Sequence, residues 1–93
     1  MKNNHDYFID RMEDMNPEAL YPTNMEEAII GICDNNFEDQ PFRFAVSYSK
    51  SIEILARDMQ DDEDPIASAK EFFDYNVAGS WVGINGPIYV YDE

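Results

Sequence analysis

One cysteine, one histidine and four glycines stand in this chain of 93 residues, and six Lys and Arg face twenty Asp and Glu. Each shortage excludes something. A single thiol, Cys33, forms no intrachain disulfide and supplies no cysteine-rich metal site. It lies in the apolar run Ile29-Ile30-Gly31-Ile32-Cys33, the setting of a buried small hydrophobe rather than a reactive thiolate. The lone His5 sits near the N-terminus, away from any nucleophile. A nucleophile relay needs nucleophile, base and orienting group within hydrogen-bond reach of one another. No Gly-rich phosphate loop is present. Gly79 and Gly83 do stand four apart, but around Ser80-Trp81-Val82 that spacing reads as strand, not as a membrane helix face. Catalytic, cofactor-binding and metal-binding residues are therefore expected to be none, and the chain reads as non-enzymatic.

The scarcity of cations has its own consequences. Proteins that grip phosphate backbones cluster Lys and Arg, so no direct nucleic-acid binding is expected. Attraction to an anionic membrane surface is excluded on the same ground. No apolar run approaches the ~18 residues of a membrane span. No apolar leader follows Met1-Lys2-Asn3-Asn4-His5-Asp6, and the cytoplasm is the expected compartment.

What is present is a strongly acidic, aromatic, single-domain chain. The net charge is −14 and the sequence pI is about 4.1, yet 44% of residues are hydrophobic and 14% aromatic. A disordered acidic tail does not carry that much apolar material. Charge is spread evenly along the chain, with one exception: the 17 residues from Tyr75 to Tyr91 carry none. They hold three of the four glycines, the only Trp and three of the six tyrosines, so this stretch differs in kind from the rest.

Residues 1–24 read as an N-terminal segment with a short helix, Phe8, Met12 and Met15 recurring at steps of four and three before Asn16-Pro17. Residues 25–93 read as a single α+β domain. Thr23-Asn24-Met25-Glu26 fits a capping box, predicting a helix that places Met25, Ala28, Ile29, Ile32 and Cys33 on one face. Phe42 to Tyr48 alternates as a half-buried strand, with Phe42, Phe44, Val46 and Tyr48 on one side. Ser49 is read as the cap of a helix carrying Ile52, Leu55, Ala56 and Met59. Asp64-Pro65 opens another, with Ile66, Ala69, Phe73 and Val77 inward and Gly79 as its stop. Asn85-Gly86 is the preferred pair for a two-residue type I′ turn. Pairing outward from it sets Ile84 opposite Pro87, Gly83 opposite Ile88, Val82 opposite Tyr89 and Trp81 opposite Val90. The expected fold is α+β: about four short helices packed on a small three-stranded, at least partly antiparallel sheet ending in a C-terminal β-hairpin.

The stretch Phe72-Phe73-Asp74-Tyr75-Asn76-Val77-Ala78-Gly79-Ser80-Trp81-Val82-Gly83, followed by Pro87-Ile88-Tyr89, resembles small acidic proteins of bacteriophage and prophage genomes. These share a helix ending in a Phe/Tyr-Asn-x-x-Gly step, then an aromatic-Val-Gly strand and a Pro-apolar-aromatic strand. The resemblance extends over about residues 25–91 and implies a phage or mobile-element setting, with no activity and no functional residue to transfer.

Two surfaces stand out. Asp58, Asp61, Asp62, Glu63 and Asp64 form the one dense acidic cluster, and Glu71 and Asp74 continue it along the following helix. The cluster lacks the alternation and the glycine of a calcium loop. Carboxylates three or four residues apart on a helix lie about 5–6 Å apart, so the series predicts a negative ridge on a rigid support. Such a ridge suits the basic groove of a nucleic-acid-binding protein and points to a host protein of that kind as partner, bound as an inhibitor through mimicry of nucleic-acid charge. The alternative is a homodimer or other self-association through the uncharged hairpin, with Trp81, Val82, Ile84, Tyr89 and Tyr91 as its anchors.

Overall fold

The structure, a computed structural model, describes residues 4–34, 41–79 and 83–92. Helix α1, Asn4–Met15, buries Met12, and Phe8 and Met15 pack beside it, as their spacing predicts. The helix gives way at Asn16, the conformationally restricted residue before Pro17. Asn16 is itself buried and acts as a clamp. Its Nδ2 donates to the carbonyl of Phe42 and to Oδ1 of Asn85, each at 2.9 Å, and its Oδ1 accepts the N–H of Glu18. The N-terminal segment is thus built into the same core as the rest: Met12 packs in one cluster with Ala28, Ile29, Phe44 and Val46.

The helix expected from Met25 to Cys33 is a strand. A tight turn comes first, the N–H of Met25 reaching the carbonyl of Pro22, with Asn24 at a φ of 64°. Asparagine tolerates that left-handed conformation better than most residues. A single 3₁₀ turn, Glu26–Ala28, follows without a side-chain cap, so the capping box does not form. Strand β1 then runs Ile29–Cys33. Three β-branched isoleucines lose rotamer freedom in a helix, and Gly31 inside one would cost about 1 kcal/mol relative to Ala. Pairing as a strand relieves the rotamer penalty of the isoleucines and buries Ile29. Cys33 consequently stands half-buried on an edge strand.

Strand β2, Arg43–Ser47, pairs antiparallel with β1. Ile29 faces Val46 and Gly31 faces Ala45, so Ile30 is an extra residue bulged out of register and exposed. Strand β3, Ile88–Val90, pairs parallel to the other edge of β2. The sheet is therefore mixed, in the order β1-β2-β3, and β2 is central, which explains why Phe44 to Ser47 are all buried rather than alternating. A parallel neighbour requires a crossover, and two helices supply it.

The first, α2, is Tyr48–Arg57. Its cap is Ser47, not Ser49: the Ser47 hydroxyl accepts the N–H of Lys50 at 3.1 Å. Tyr48 accordingly belongs to the helix and not to the strand, and its ring goes to a second core cluster with Ile52, Ala56, Ala69 and Phe73. The second helix, α3, is Pro65–Phe72, and Asp64 caps it as its sequence predicts, accepting the N–H of Ala67 at 3.2 Å. Ile66, expected inside, is exposed, because the contact with α2 centres on Ala69 and Phe73, one turn further along. From Phe73 to Val77 the helix widens into a π-turn, closed by the N–H of Ala78 on the carbonyl of Phe73 at 2.8 Å. Gly79 ends it at close quarters: a Cβ there would lie 2.8 Å from the Asp74 carbonyl oxygen.

The C-terminal hairpin is corrected in part. The turn is Gly83 to Gly86, with the Gly86 N–H on the Gly83 carbonyl at 3.1 Å. Gly83, at φ 94°, takes the positive angle, whereas a type I′ turn at Asn85-Gly86 would need positive φ at both of those residues. Asn85 instead ties back to the N-terminal segment, its carbonyl accepting the N–H of Leu20 at 2.9 Å. Residues 80–82, including Trp81 and Val82 and their expected pairing, lie outside the described residues. Among the described residues there are three α-helices rather than four; the α+β class and a three-stranded, partly antiparallel sheet hold.

Asp92 fastens the C-terminal end. Its carboxylate accepts the Ser47 hydroxyl at 2.5 Å and the Ser49 N–H at 2.9 Å, and these bonds, the Ser47 one foremost, hold its carboxyl below the usual range. A carboxyl whose pKa is lowered by folding contributes stability above its unfolded pKa and loses it as the pH falls through the folded one. Asp92→Ala should therefore lower the melting temperature near neutral pH. The gap to wild type should close as the pH falls below 3.8, the ordinary value for this group. A gap that stays constant through the acid range would contradict this role.

Candidate partner-binding surface

Five carboxylates crowd the connection between α2 and α3. Asp58 caps the C-terminal end of α2, and Asp61, Asp62, Glu63 and Asp64 lead to the first residue of α3. All five are exposed. The connection is internally fastened by the N–H of Met59 on the Ala56 carbonyl and that of Asp62 on the Met59 carbonyl. Asp64 has a structural duty as the α3 cap, while the other four point charge at solvent. The carbonyl end of α2 reinforces their sign, because a helix C-terminus carries partial negative charge.

Glu71 and Asp74 are exposed as well. At a rise of about 1.5 Å per residue they stand roughly 10 and 15 Å along the axis from Asp64. Helical periodicity keeps Glu71 on the flank of Asp64, but the π-turn begins at Phe73, so Asp74 leaves the strict three-residue step from Glu71. The seven carboxylates are one dense patch of five with two outliers rather than an unbroken row.

Beside the patch lies a groove of about 560 Å³, walled by the 20–25 segment, α2, the end of α3 with its π-turn, and β3. Its walls are chiefly apolar, including Leu20, Leu55, Phe72, Val77 and Tyr89, and among the described residues Asp58 is the one carboxylate that lines it. Burial pushes the Tyr89 phenol up, with the neighbouring Tyr91 adding to the effect, so Tyr89 presents a neutral hydroxyl. No run of the sequence announces this groove, since its walls come from four separated segments.

The residues proposed for self-association are divided by the structure. Ile84 and Tyr91 are exposed. Tyr91 also lies against Tyr48, ring centroids 4.7 Å apart. Tyr89 is half-buried and edge-on to Phe73 at 5.1 Å, touching both core clusters, so most of its ring is already engaged. Among the described residues of the uncharged stretch Tyr75 is the most open aromatic, 77% exposed, and its place within a helical run gives it no signal of its own in the sequence.

Among the described residues no three His, Cys, Asp or Glu side chains converge so as to hold a metal ion, and no helix is long and apolar enough to cross a membrane. No protein-family model matches the chain, and neither a curated protein nor a solved structure matches it.

Proposed function

We propose that this is a non-enzymatic binding protein that presents the α2–α3 acidic connection to a basic partner protein, standing in for the charge of a nucleic acid. The observation that carries the reading is the exposure of all five carboxylates between Asp58 and Asp64 on a connection held between two packed helices. Holding −14 on 93 residues opposes folding through self-repulsion, and a long-range field that steers a cationic partner gives that charge a use. The resemblance to acidic phage proteins supplies the setting: a host nucleic-acid-binding protein as the target and inhibition as the outcome.

Capture from nuclease-treated host lysate, washed at rising salt, tests this reading. A nucleic-acid-binding protein should be retained at low salt and released as the Debye length shortens toward about 3 Å at 1 M. Retention that ignores salt would count against it.

Self-association is a second reading, favoured by the exposure of Tyr75, Ile84 and Tyr91 in a stretch without charge. Tyr91→Lys is the informative variant, since Tyr89 is held by the core. On this reading sedimentation should show a dimer for wild type and a monomer for Tyr91→Lys. A wild type that is monomeric at high concentration removes it.

A further inference from the structure

We infer that the groove beside Asp58 is a docking site for an amphipathic basic segment of the partner, whose apolar side chains fill it while its cations meet the acidic connection. The inference rests on the proposed function and adds what charge alone does not provide, a source of specificity. Three observations support it. The groove and the acidic patch share a residue, for Asp58 both lines the groove and begins the cluster. The groove is asymmetric, apolar along Leu20, Leu55, Phe72 and Val77 and negative at the end where α2 terminates. One wall is the π-turn, a widened helical form that recurs at functional sites. A volume of about 560 Å³ lies within the range of ordinary ligand pockets, roughly 300–1,000 Å³, and holds a few large side chains. An anionic segment would meet repulsion at Asp58, and a wholly polar one would gain nothing from the walls. A helical segment with apolar residues at i, i+3 and i+4 and basic residues beside them satisfies both ends, as helix-in-groove recognition does elsewhere.

The probe is an amphipathic model peptide made of Leu and Lys, compared with poly-lysine and measured by calorimetry against the full chain. Leu20→Arg places a cation in the groove at a half-exposed position, where folding tolerates it. Expected is tighter binding of the amphipathic peptide than of poly-lysine, and loss of roughly tenfold in peptide affinity on Leu20→Arg, with poly-lysine binding unchanged. Equal binding of the two peptides, or no effect of Leu20→Arg, would overturn the groove and leave the acidic reading standing. Failure of both peptides to bind at low salt would remove both. Two further results would reassign the groove and so overturn the proposal. One is a dimer of wild type that Leu20→Arg dissolves, which puts a second copy there. The other is a shift in emission of the sole tryptophan on Leu20→Arg without peptide, which gives the groove to the chain itself.

Discussion

Phe73→Ala is expected to destabilise the fold by about 3–5 kcal/mol, the range for emptying a buried phenylalanine site. Phe73 is fully buried and meets Tyr48 edge-on at 5.0 Å and Tyr89 at 5.1 Å. It therefore joins α2, the π-turn and β3 in one contact. A domain of this length has roughly 5–14 kcal/mol in all, so the variant should lose a large share of its folded stability. The adjacent Phe72 provides the control. It is 41% exposed and lines the groove, so Phe72→Ala should change stability by about 1 kcal/mol or less. Chemical denaturation of the pair decides the matter. Equal losses from the two would mean that the helix is rotated relative to the packing described here.

The second large effect is on binding. Reversing Asp61, Asp62 and Glu63 together to Lys adds two charges at each position and moves the net charge from −14 to −8. All three are exposed, and Asp64 is left in place because it caps α3. Partner association should slow by roughly 10-fold to 1,000-fold, the span over which electrostatic steering accelerates encounter. The melting temperature should stay level or rise, since like charges have been separated. Kinetic binding measurements with thermal melts read both quantities. Unchanged association would leave the acidic connection a solubilising feature. A lowered melting temperature would show that these carboxylates support the fold.

Elements carried by a single strong local signal were legible in the sequence. The alternation from Phe42 placed β2, Asp64-Pro65 placed the start of α3 through its cap and first residue, and the Phe8-Met12-Met15 spacing placed α1. Misreadings arose where two signals competed. Thr23 to Glu26 has the pattern of a capping box, yet Asn24 serves a turn, and the isoleucines that follow pair with β2 instead of winding on. An apolar run of five residues satisfies helix and strand periodicity almost equally, and only the tertiary partner decides. Asn85-Gly86 was similarly ambiguous: the turn is set back by one residue, running Gly83 to Gly86 instead of Ile84 to Pro87, and Asn85 is drawn into the clamp with Asn16, 69 residues away. Such long-range hydrogen bonds leave no local trace.

The acidic half of the candidate site was readable because exposure of a charge run follows from solvation alone. The groove was not, because Leu20, Leu55, Phe72 and Tyr89 become neighbours only when the sheet and both crossover helices are in place.

Charge mimicry is tested most directly by competition. Once a partner has been captured from nuclease-treated lysate at low salt, it is challenged with duplex DNA or structured RNA at constant ionic strength. The account predicts that nucleic acid displaces the partner in proportion to its own affinity for it, and that the bound partner no longer retains nucleic acid. A partner that holds this protein and nucleic acid together, neither weakening the other, would contradict it.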